Sequence, residues 1–307
     1  MILTFKGSGL KFLIPVVWLF YSCLLNALDW SSVPVKEVTL FYPGKASWEK
    51  ILMSEFHGGA KGVRSKATCQ SCHRGDESQL GENIANDNES VFYSPSNTDF
   101  QLKVSLRIAV ENEAIHFRVD LPASAEGRLS LMLDNDAYMH SALSGCWSSC
   151  HDDARGMDSA QQGQELTKYL SLSRTTNTRT GGGDSYKNAD ELAALMKEGQ
   201  YLEIIGADIS AGEIEPLHGY VLEKRHMSDV ASPVAVSVAA ENQDNTSAVV
   251  ISRPLSPRQL GFKEISSEVA NSLGIAFLPA GEAGRSHLVS FSIGFELDQT
   301  NNVVFLD

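Results

Sequence analysis

Two groups of cysteines, each followed directly by a histidine, are the residues whose type and spacing best fit a chemical role. The first group is Cys69-Gln70-Ser71-Cys72-His73, a C-x-x-C-H motif. In covalent haem attachment, two thiols with this spacing add to the vinyl groups of the porphyrin, and the adjacent imidazole binds the iron. We therefore predict a c-type haem held by Cys69 and Cys72, with His73 as proximal ligand. A zinc half-site and a thioredoxin-like thiol pair are the alternatives, and neither has its expected sequence context.

The second group has the sequence CWSSCH at residues 146–151, with three residues rather than two between its thiols. The terminal Cys-His pair is kept, and the two serines between the thiols allow a bulge that brings both sulfurs to the vinyl edges. We predict a second covalent haem at Cys146 and Cys150, with His151 as proximal ligand. A local disulfide between Cys146 and Cys150 is the alternative.

An electron-carrying haem needs a second axial ligand, which the attachment motifs do not supply. His57 lies twelve residues before Cys69 and precedes Gly58 and Gly59, whose backbone can pass close to a flat macrocycle. We predict that His57 is the distal ligand of the first haem. A surface or capping role is the alternative.

For the second haem, the predicted distal ligand is His140, six residues before Cys146. The thioether of Met139 is the nearest rival, because sulfur ligation is equally possible. His226 and Met227, at the end of a strand-like run, are further candidates.

The first 27 residues predict export. Lys6 and Lys11 precede an apolar stretch over 12–25, which fades at Asn26-Ala27, where a signal peptidase could cut. This pattern is typical of a secretory signal peptide, so we predict a periplasmic protein. An uncleaved membrane anchor is the alternative, although the apolar stretch is short for a spanning helix.

Composition predicts a folded, acidic protein. The 307 residues carry 25 Lys and Arg against 38 Asp and Glu, a formal net charge of -13, and 43% are hydrophobic. These values exclude a disordered or polytopic membrane chain and make nucleic acid an improbable partner. An acidic surface suits docking to a basic patch on a partner.

Hydrophobic residues alternate along 100–110 and 115–121 around a turn at 111–113, which predicts a β-hairpin, and 129–133 predicts a third strand. A helix is predicted over 188–199, where Asn188 and Glu191 form a capping pattern and Gly199 ends the helix. Further strand-like runs are at 201–205, 219–222, 234–239, 249–252, 287–297 and 303–306. We predict a mainly β protein, a β-sandwich with short helices inserted at its rim.

The predicted organisation has three parts. Residues 1–27 form the signal peptide, 28–95 a small irregular or helical segment with the first haem motif, and 96–307 the β-sandwich with the second motif. The polar stretch over 86–98 is predicted to be a linker.

Several segments together resemble a known family. They are LFYPGKASWE at 40–49, HGGA at 57–60, the two Cys-His motifs, Asp152-Asp153 and Met157. This set resembles exported cytochromes with the ethylbenzene-dehydrogenase-type, DMSO-reductase-like haem-binding domain. The resemblance covers most of the chain beyond residue 27 and implies a β-sandwich that holds haem near one end.

The same resemblance implies ligands and partners. In the molybdenum-enzyme subunits of that family, Met and Lys bind a b-type haem, and Met132 and Lys224 are conceivable counterparts here. The family passes electrons between a redox enzyme and a membrane or soluble cytochrome. The implied partner is thus a molybdenum enzyme or a membrane b-type cytochrome.

The sequence therefore predicts a periplasmic di-haem c-type electron carrier rather than an enzyme. One alternative is a haem enzyme with one open iron that reduces a small molecule or oxyanion. The other is a mono-haem sensor with a Cys146–Cys150 disulfide.

Overall fold

The computed structural model describes residues 28–44, 48–86, 100–151, 168–175, 185–210, 214–228, 233–241, 245–282 and 286–306. The predicted signal peptide and nearly all of the predicted linker lie outside these ranges.

Short helices and many strands make up the described residues. The helices are α1 (Trp48–Ile51), α2 (Ala60–Arg64), α3 (Cys69–His73), α4 (Glu77–Asn86), α5 (Met139–Ser144) and α6 (Ala189–Lys197). The strands are β1 (Val35–Phe41), β2 (Gln101–Glu111), β3 (Ala114–Pro122), β4 (Gly127–Asp134), β5 (Cys150–His151), β6 (Lys168–Tyr169), β7 (Leu202–Asp208), β8 (Glu215–Val221), β9 (Arg225–Met227), β10 (Ala235–Glu241), β11 (Thr246–Pro254), β12 (Asn271–Pro279), β13 (Leu288–Val289), β14 (Ile293–Leu297) and β15 (Val303–Phe305).

Hydrogen bonds join thirteen of the described strands into one curled antiparallel sheet. Its order is β10-β11-β3-β2-β1-β13-β12-β4-β7-β8-β9, and β14 and β15 continue from β12. β5 and β6 form a separate two-stranded ribbon. The prediction of a mainly β protein is confirmed.

The predicted hairpin is present as β2 and β3. Val110 pairs with Ile115, and the two residues at the centre of the turn, Asn112 and Glu113, have φ of 52° and 62°. Positive φ at both positions gives a turn whose twist matches that of the flanking strands. The predicted helix is also present as α6, with the full capping box between Asn188 and Glu191.

Several strands were not predicted from the sequence, among them β1 and β12 of the main sheet. β1 pairs with β2 along its whole length, from Val35 opposite Arg107 to Phe41 opposite Gln101, although it lies in the predicted N-terminal segment. β12 lies between β13 and β4 in the sheet. The single strand predicted over 287–297 is instead divided into β13 and β14.

Around β4, β7 and β12 the sheet is buried on both faces, and the candidate site lies there. In β4, Leu129, Leu131 and Leu133 point into the main core, which residues from most strands share. Met132, on the opposite face, belongs to a second apolar cluster. The buried members of this second cluster are Phe41, Met132, Tyr138, Cys146, Trp147, Leu170, Leu202, Ile204, Val221, Val289 and Phe291.

No helix within the described ranges has the length and hydrophobicity needed to span a bilayer.

Candidate haem-binding sites

The first Cys-His motif forms the short helix α3. Thr68 caps it, because its side-chain oxygen accepts a hydrogen bond from the backbone N–H of Ser71 at 3.1 Å. Residues three and four positions apart share a helix face, so Cys69, Cys72 and His73 point to the same side. This local geometry presents two sulfurs and one imidazole together.

The thiol of Cys69 lacks the lowered pKa of an activated redox cysteine. Burial raises the pKa of Cys69 to about 11, so its thiol is neutral at physiological pH. A catalytic dithiol requires the opposite, a lowered pKa that yields a thiolate. Cys69 is partly buried against the second apolar cluster, whereas Cys72 is exposed.

The structure brings His57 and His73 together. Their ring centroids are 6.1 Å apart, with 35° between the ring planes. A metal–imidazole nitrogen bond is about 2 Å long, and each nitrogen lies about 1 Å from its ring centre, so two imidazoles on opposite sides of one metal have centres about 6 Å apart. The pair therefore has the separation that a shared iron requires.

Hydrogen bonding orients the His57 ring. Its Nδ1 lies 3.0 Å from the carbonyl oxygen of Ile51, which can only accept, so Nδ1 carries the proton and donates it. The lone pair is then on Nε2. Metal-binding histidines are commonly fixed in this way. The Nδ1 atom of His73 lies near a carboxylate, 4.0 Å from Asp76 Oδ2, which is longer than a direct hydrogen bond.

Gly59 leaves the space that the His57 ring occupies. A Cβ on Gly59 would lie 2.9 Å from Cε1 and 3.2 Å from Nε2 of His57, whereas a Cβ on Gly58 would meet nothing within 4 Å. The two glycines predicted to lie beside a macrocycle therefore differ, and Gly59 makes room for the imidazole itself.

The second Cys-His motif is not a helix. A 3-10 turn runs over Gly145–Ser148 and is followed by β5, so Cys146 and Cys150 lie in different elements. Gly145 has φ of 55°, a conformation that favours glycine. The hydroxyl of Ser148 donates to the Gly145 carbonyl at 2.7 Å, and that of Ser149 donates to the Cys146 carbonyl at 3.1 Å. The two serines thus fasten the turn.

Cys146 is a buried free thiol packed on the sheet. A Cβ added to Gly274 in β12 would lie 3.1 Å from its sulfur and 3.2 Å from its backbone nitrogen, so glycine is needed there for close approach. The side chains of Cys150 and His151 lie outside the described part of the structure. In the β5–β6 ribbon, the backbone of His151 pairs with Lys168.

A cavity of about 310 Å³ borders Cys146 on the second face of the sheet. Apolar side chains from five strands line it, among them Met132, Ile204, Leu217 and Leu278. Cationic side chains and one histidine also line it, namely Arg128, Lys168, Arg225 and His287. The cavity therefore combines the buried thiol of Cys146, apolar walls and arginine side chains.

Burial perturbs the ionisable groups beside this cavity. It lowers the pKa of Lys168 and raises that of Cys146, because each charged form loses hydration. At the rim, Arg128 is partly exposed and pairs with Asp208 at 3.3 Å.

The candidate distal ligands of the second haem lie in different places. Met227 lines the cavity beside Cys146. His226 points elsewhere, with Nε2 2.8 Å from Glu223 Oε1 and its ring stacked on Tyr220. Met139 is 41% exposed.

His140 lies in an aromatic pocket, with its ring centroid 4.8 Å from that of Trp48 and 5.2 Å from that of Tyr138. Its Nδ1 is buried without a hydrogen-bond partner, and burial lowers its pKa. A neutral imidazole is the form that binds iron, so His140 stays a predicted ligand.

Lys168 and His287 line the cavity, although neither was predicted to be a site residue. Of the two counterparts implied by the family resemblance, Met132 lines the cavity, whereas Lys224 is exposed. The alternation in β4 could have assigned Met132 to the second face. No local pattern marks Lys168 or His287, because strands distant in sequence bring them together.

Two named proteins are similar to this chain over nearly its whole length. Cytochrome c-552 of Stutzerimonas stutzeri is 28% identical over 292 residues, which cover 90% of this chain and 89% of that protein. Cytochrome c-551 of Rhodocyclus tenuis is 26% identical over 283 residues, which cover 88% of this chain and 94% of that protein. No family model matches the chain. Such coverage supports a c-type cytochrome, since a shared attachment motif alone would match only a few residues.

Proposed function

We propose that this protein is an exported di-haem c-type cytochrome that carries electrons between a redox enzyme and a membrane or soluble cytochrome. The observation that carries the proposal is the pair of neighbouring imidazoles, His57 and His73, whose centroids lie 6.1 Å apart where His73 ends the C-x-x-C-H helix. The similarity to the two named cytochromes agrees with it.

A bound haem supplies a one-electron ferric/ferrous couple, and the protein sets its potential through axial ligands, hydrogen bonds and burial. At the first site, Cys69 and Cys72 would hold the porphyrin, and His73 and His57 would bind its iron. The Ile51 carbonyl fixes the tautomer of His57 and increases the basicity of Nε2. Two strong nitrogen ligands leave no position for a substrate, which suits an electron carrier.

At the second site, Cys146, Cys150 and His151 would hold the haem. Arg128 and Arg225 have the charge that pairs with porphyrin propionates. Among the candidate distal ligands, we prefer Met227 because it lines the cavity that borders Cys146, with His140 as the alternative.

The proposed compartment is the periplasm, reached through the signal segment over 1–27. The proposed partners are a molybdenum enzyme or a membrane b-type cytochrome, in agreement with the family resemblance. A partner identified by cross-linking in the native periplasm would test this assignment.

Intact mass of the mature protein tests the di-haem proposal. We expect the mass of the polypeptide that begins near residue 28 plus two haems, and covalent haem staining on a denaturing gel. A Cys146→Ser, Cys150→Ser double variant should lose one haem, and a Cys69→Ser, Cys72→Ser variant the other. A native mass with one haem or none would overturn the proposal.

A second candidate function is reduction of a small oxyanion, favoured by the cationic lining of the cavity. Arg128 and Arg225, whose guanidinium groups stay charged, would attract an anion to an open iron at the second site. This function requires a high-spin ferric haem that binds added cyanide rapidly. Fully low-spin spectra and slow cyanide binding would support the electron carrier instead.

A further inference from the structure

A group of aromatic rings lies between the two haem-attachment segments. The ring of Phe291 stacks on that of His73, with centroids 6.3 Å apart and 19° between the planes. Phe291 also contacts Trp147, with a centroid separation of 5.5 Å. Since Trp147 follows Cys146 directly, Phe291 contacts both the proximal histidine of the first site and the attachment turn of the second.

Phe41 of β1 completes this aromatic group. Its ring centroid is 5.2 Å from that of Trp147 and 5.0 Å from that of Phe291. Two chains of ring contacts connect His73 with Trp147. One passes from His73 through Phe291 directly to Trp147, and the other passes from Phe291 through Phe41 to Trp147. Phe291 is therefore the residue that the two connections to His73 share.

The surroundings of these rings are apolar. Phe41, Phe291 and Trp147 are 1%, 6% and 7% exposed, and the sulfur-bearing residues Cys69 and Cys146 pack into the same cluster. Densely packed apolar side chains exclude water, so the medium between the two segments reorganises little when charge moves.

The backbone fixes the position of Phe291. It follows β13, and the adjacent Ser290 donates its backbone N–H to the Ile275 carbonyl of β12 at 2.9 Å. On the other side, Gly145 approaches so closely that a Cβ there would lie 3.1 Å from the backbone nitrogen of Ser292. The sheet and the second attachment turn thus hold Phe291 from both sides.

We propose that Phe291 is the bridging residue that couples the two haem sites electronically. This inference rests on the proposed function, because it requires a haem at each site. In the step concerned, one electron passes from the reduced site to the oxidised site, and no bond or proton changes. Electronic coupling falls steeply across unfilled gaps, and Phe291 with Trp147 fills the space between the His73 imidazole and Cys146.

The test compares leucine variants in the haem-loaded, full-length mature protein. Phe291→Leu removes the bridging ring and keeps an apolar side chain. Phe295→Leu is the matched control, since Phe295 is also fully buried and contacts Phe117 in the main core. Electron exchange between the haems is followed optically after rapid photoreduction, and midpoint potentials are titrated so that rates are compared at equal driving force.

We expect Phe291→Leu and Trp147→Leu to slow the exchange by about an order of magnitude or more. Phe41→Leu and Phe295→Leu should leave it within a few-fold of the native rate, because the direct contact between Phe291 and Trp147 remains. A Phe291→Leu rate equal to that of Phe295→Leu would overturn the inference.

A second readout does not depend on electron transfer. Unfolding of the native protein, both single variants and the Phe291→Leu, Trp147→Leu double variant forms a double-mutant cycle. Non-additive free energies are expected if the two rings are in contact in the loaded protein, and additive ones would contradict the bridge. Intact mass separates the two proposals, because fewer than two haems refutes the proposed function, whereas two haems with an unchanged rate refutes only the bridge.

Discussion

Replacing Gly59 with alanine tests the distal-ligand geometry without removing the ligand. The added Cβ would lie 2.9 Å from Cε1 of His57, where ordinary contacts begin at 3.4 Å. The imidazole must therefore move by about 0.5 Å, whereas metal–ligand distances tolerate about 0.2 Å. We expect the bond between iron and His57 to lengthen or break.

The assay is the ferric spectrum of the first haem, recorded by optical and electron paramagnetic resonance spectroscopy. Gly59→Ala should convert it from low-spin to wholly or partly high-spin and should speed cyanide binding. Gly58→Ala is the matched control and should leave the spectrum unchanged, because its Cβ would meet nothing within 4 Å. His57→Ala gives the full loss of the ligand for comparison.

Two results would refute the reasoning at different points. A low-spin spectrum in His57→Ala would show that His57 is not the ligand. A native spectrum in Gly59→Ala together with a high-spin one in His57→Ala would show that the bound ring does not lie against Gly59.

Three further predictions concern the second site and the surrounding sheet. Met227→Leu should make the second haem high-spin, whereas Met139→Leu should not, and the reverse result would favour the ligands near the aromatic pocket. Gly274→Ala should cost about 1–3 kcal/mol in the free energy of unfolding, because its Cβ overlaps Cys146, while Gly62→Ala, whose Cβ would make an ordinary 3.6 Å contact, should cost little. Burial lowers the pKa of His218 to about 4, so its contribution to stability is present above its unfolded pKa of about 6.5 and is lost as the pH falls towards 4. Between pH 7 and pH 5 this loss is about 2 kcal/mol, so denaturant unfolding of His218→Leu should show a correspondingly flatter pH dependence, and an unchanged slope would contradict the assignment.

The predictable parts of the fold are those with local signals. The β2–β3 hairpin follows from strict alternation around a turn, and α6 follows from its capping box, since both patterns act within about ten residues. β12 was missed although Leu273, Ile275 and Phe277 alternate in it. On the opposite face of β12 lies Gly274, a residue that does not favour a strand. Its presence is explained only by Cys146, which packs against it in the folded protein.

The sequence by itself determined the mainly β class, and it predicts covalent haem attachment at the first motif. The C-x-x-C-H spacing places two sulfurs and an imidazole on one side of a single helical turn, and alternation determines which side chains each strand buries. Only the tertiary structure decided that His57 lies close to His73, that Cys146 borders a cavity lined by Arg128 and Arg225, and that Phe291 contacts both His73 and Trp147. These contacts join residues separated by up to more than two hundred positions, and the part of the curled sheet that is buried on both faces brings them together.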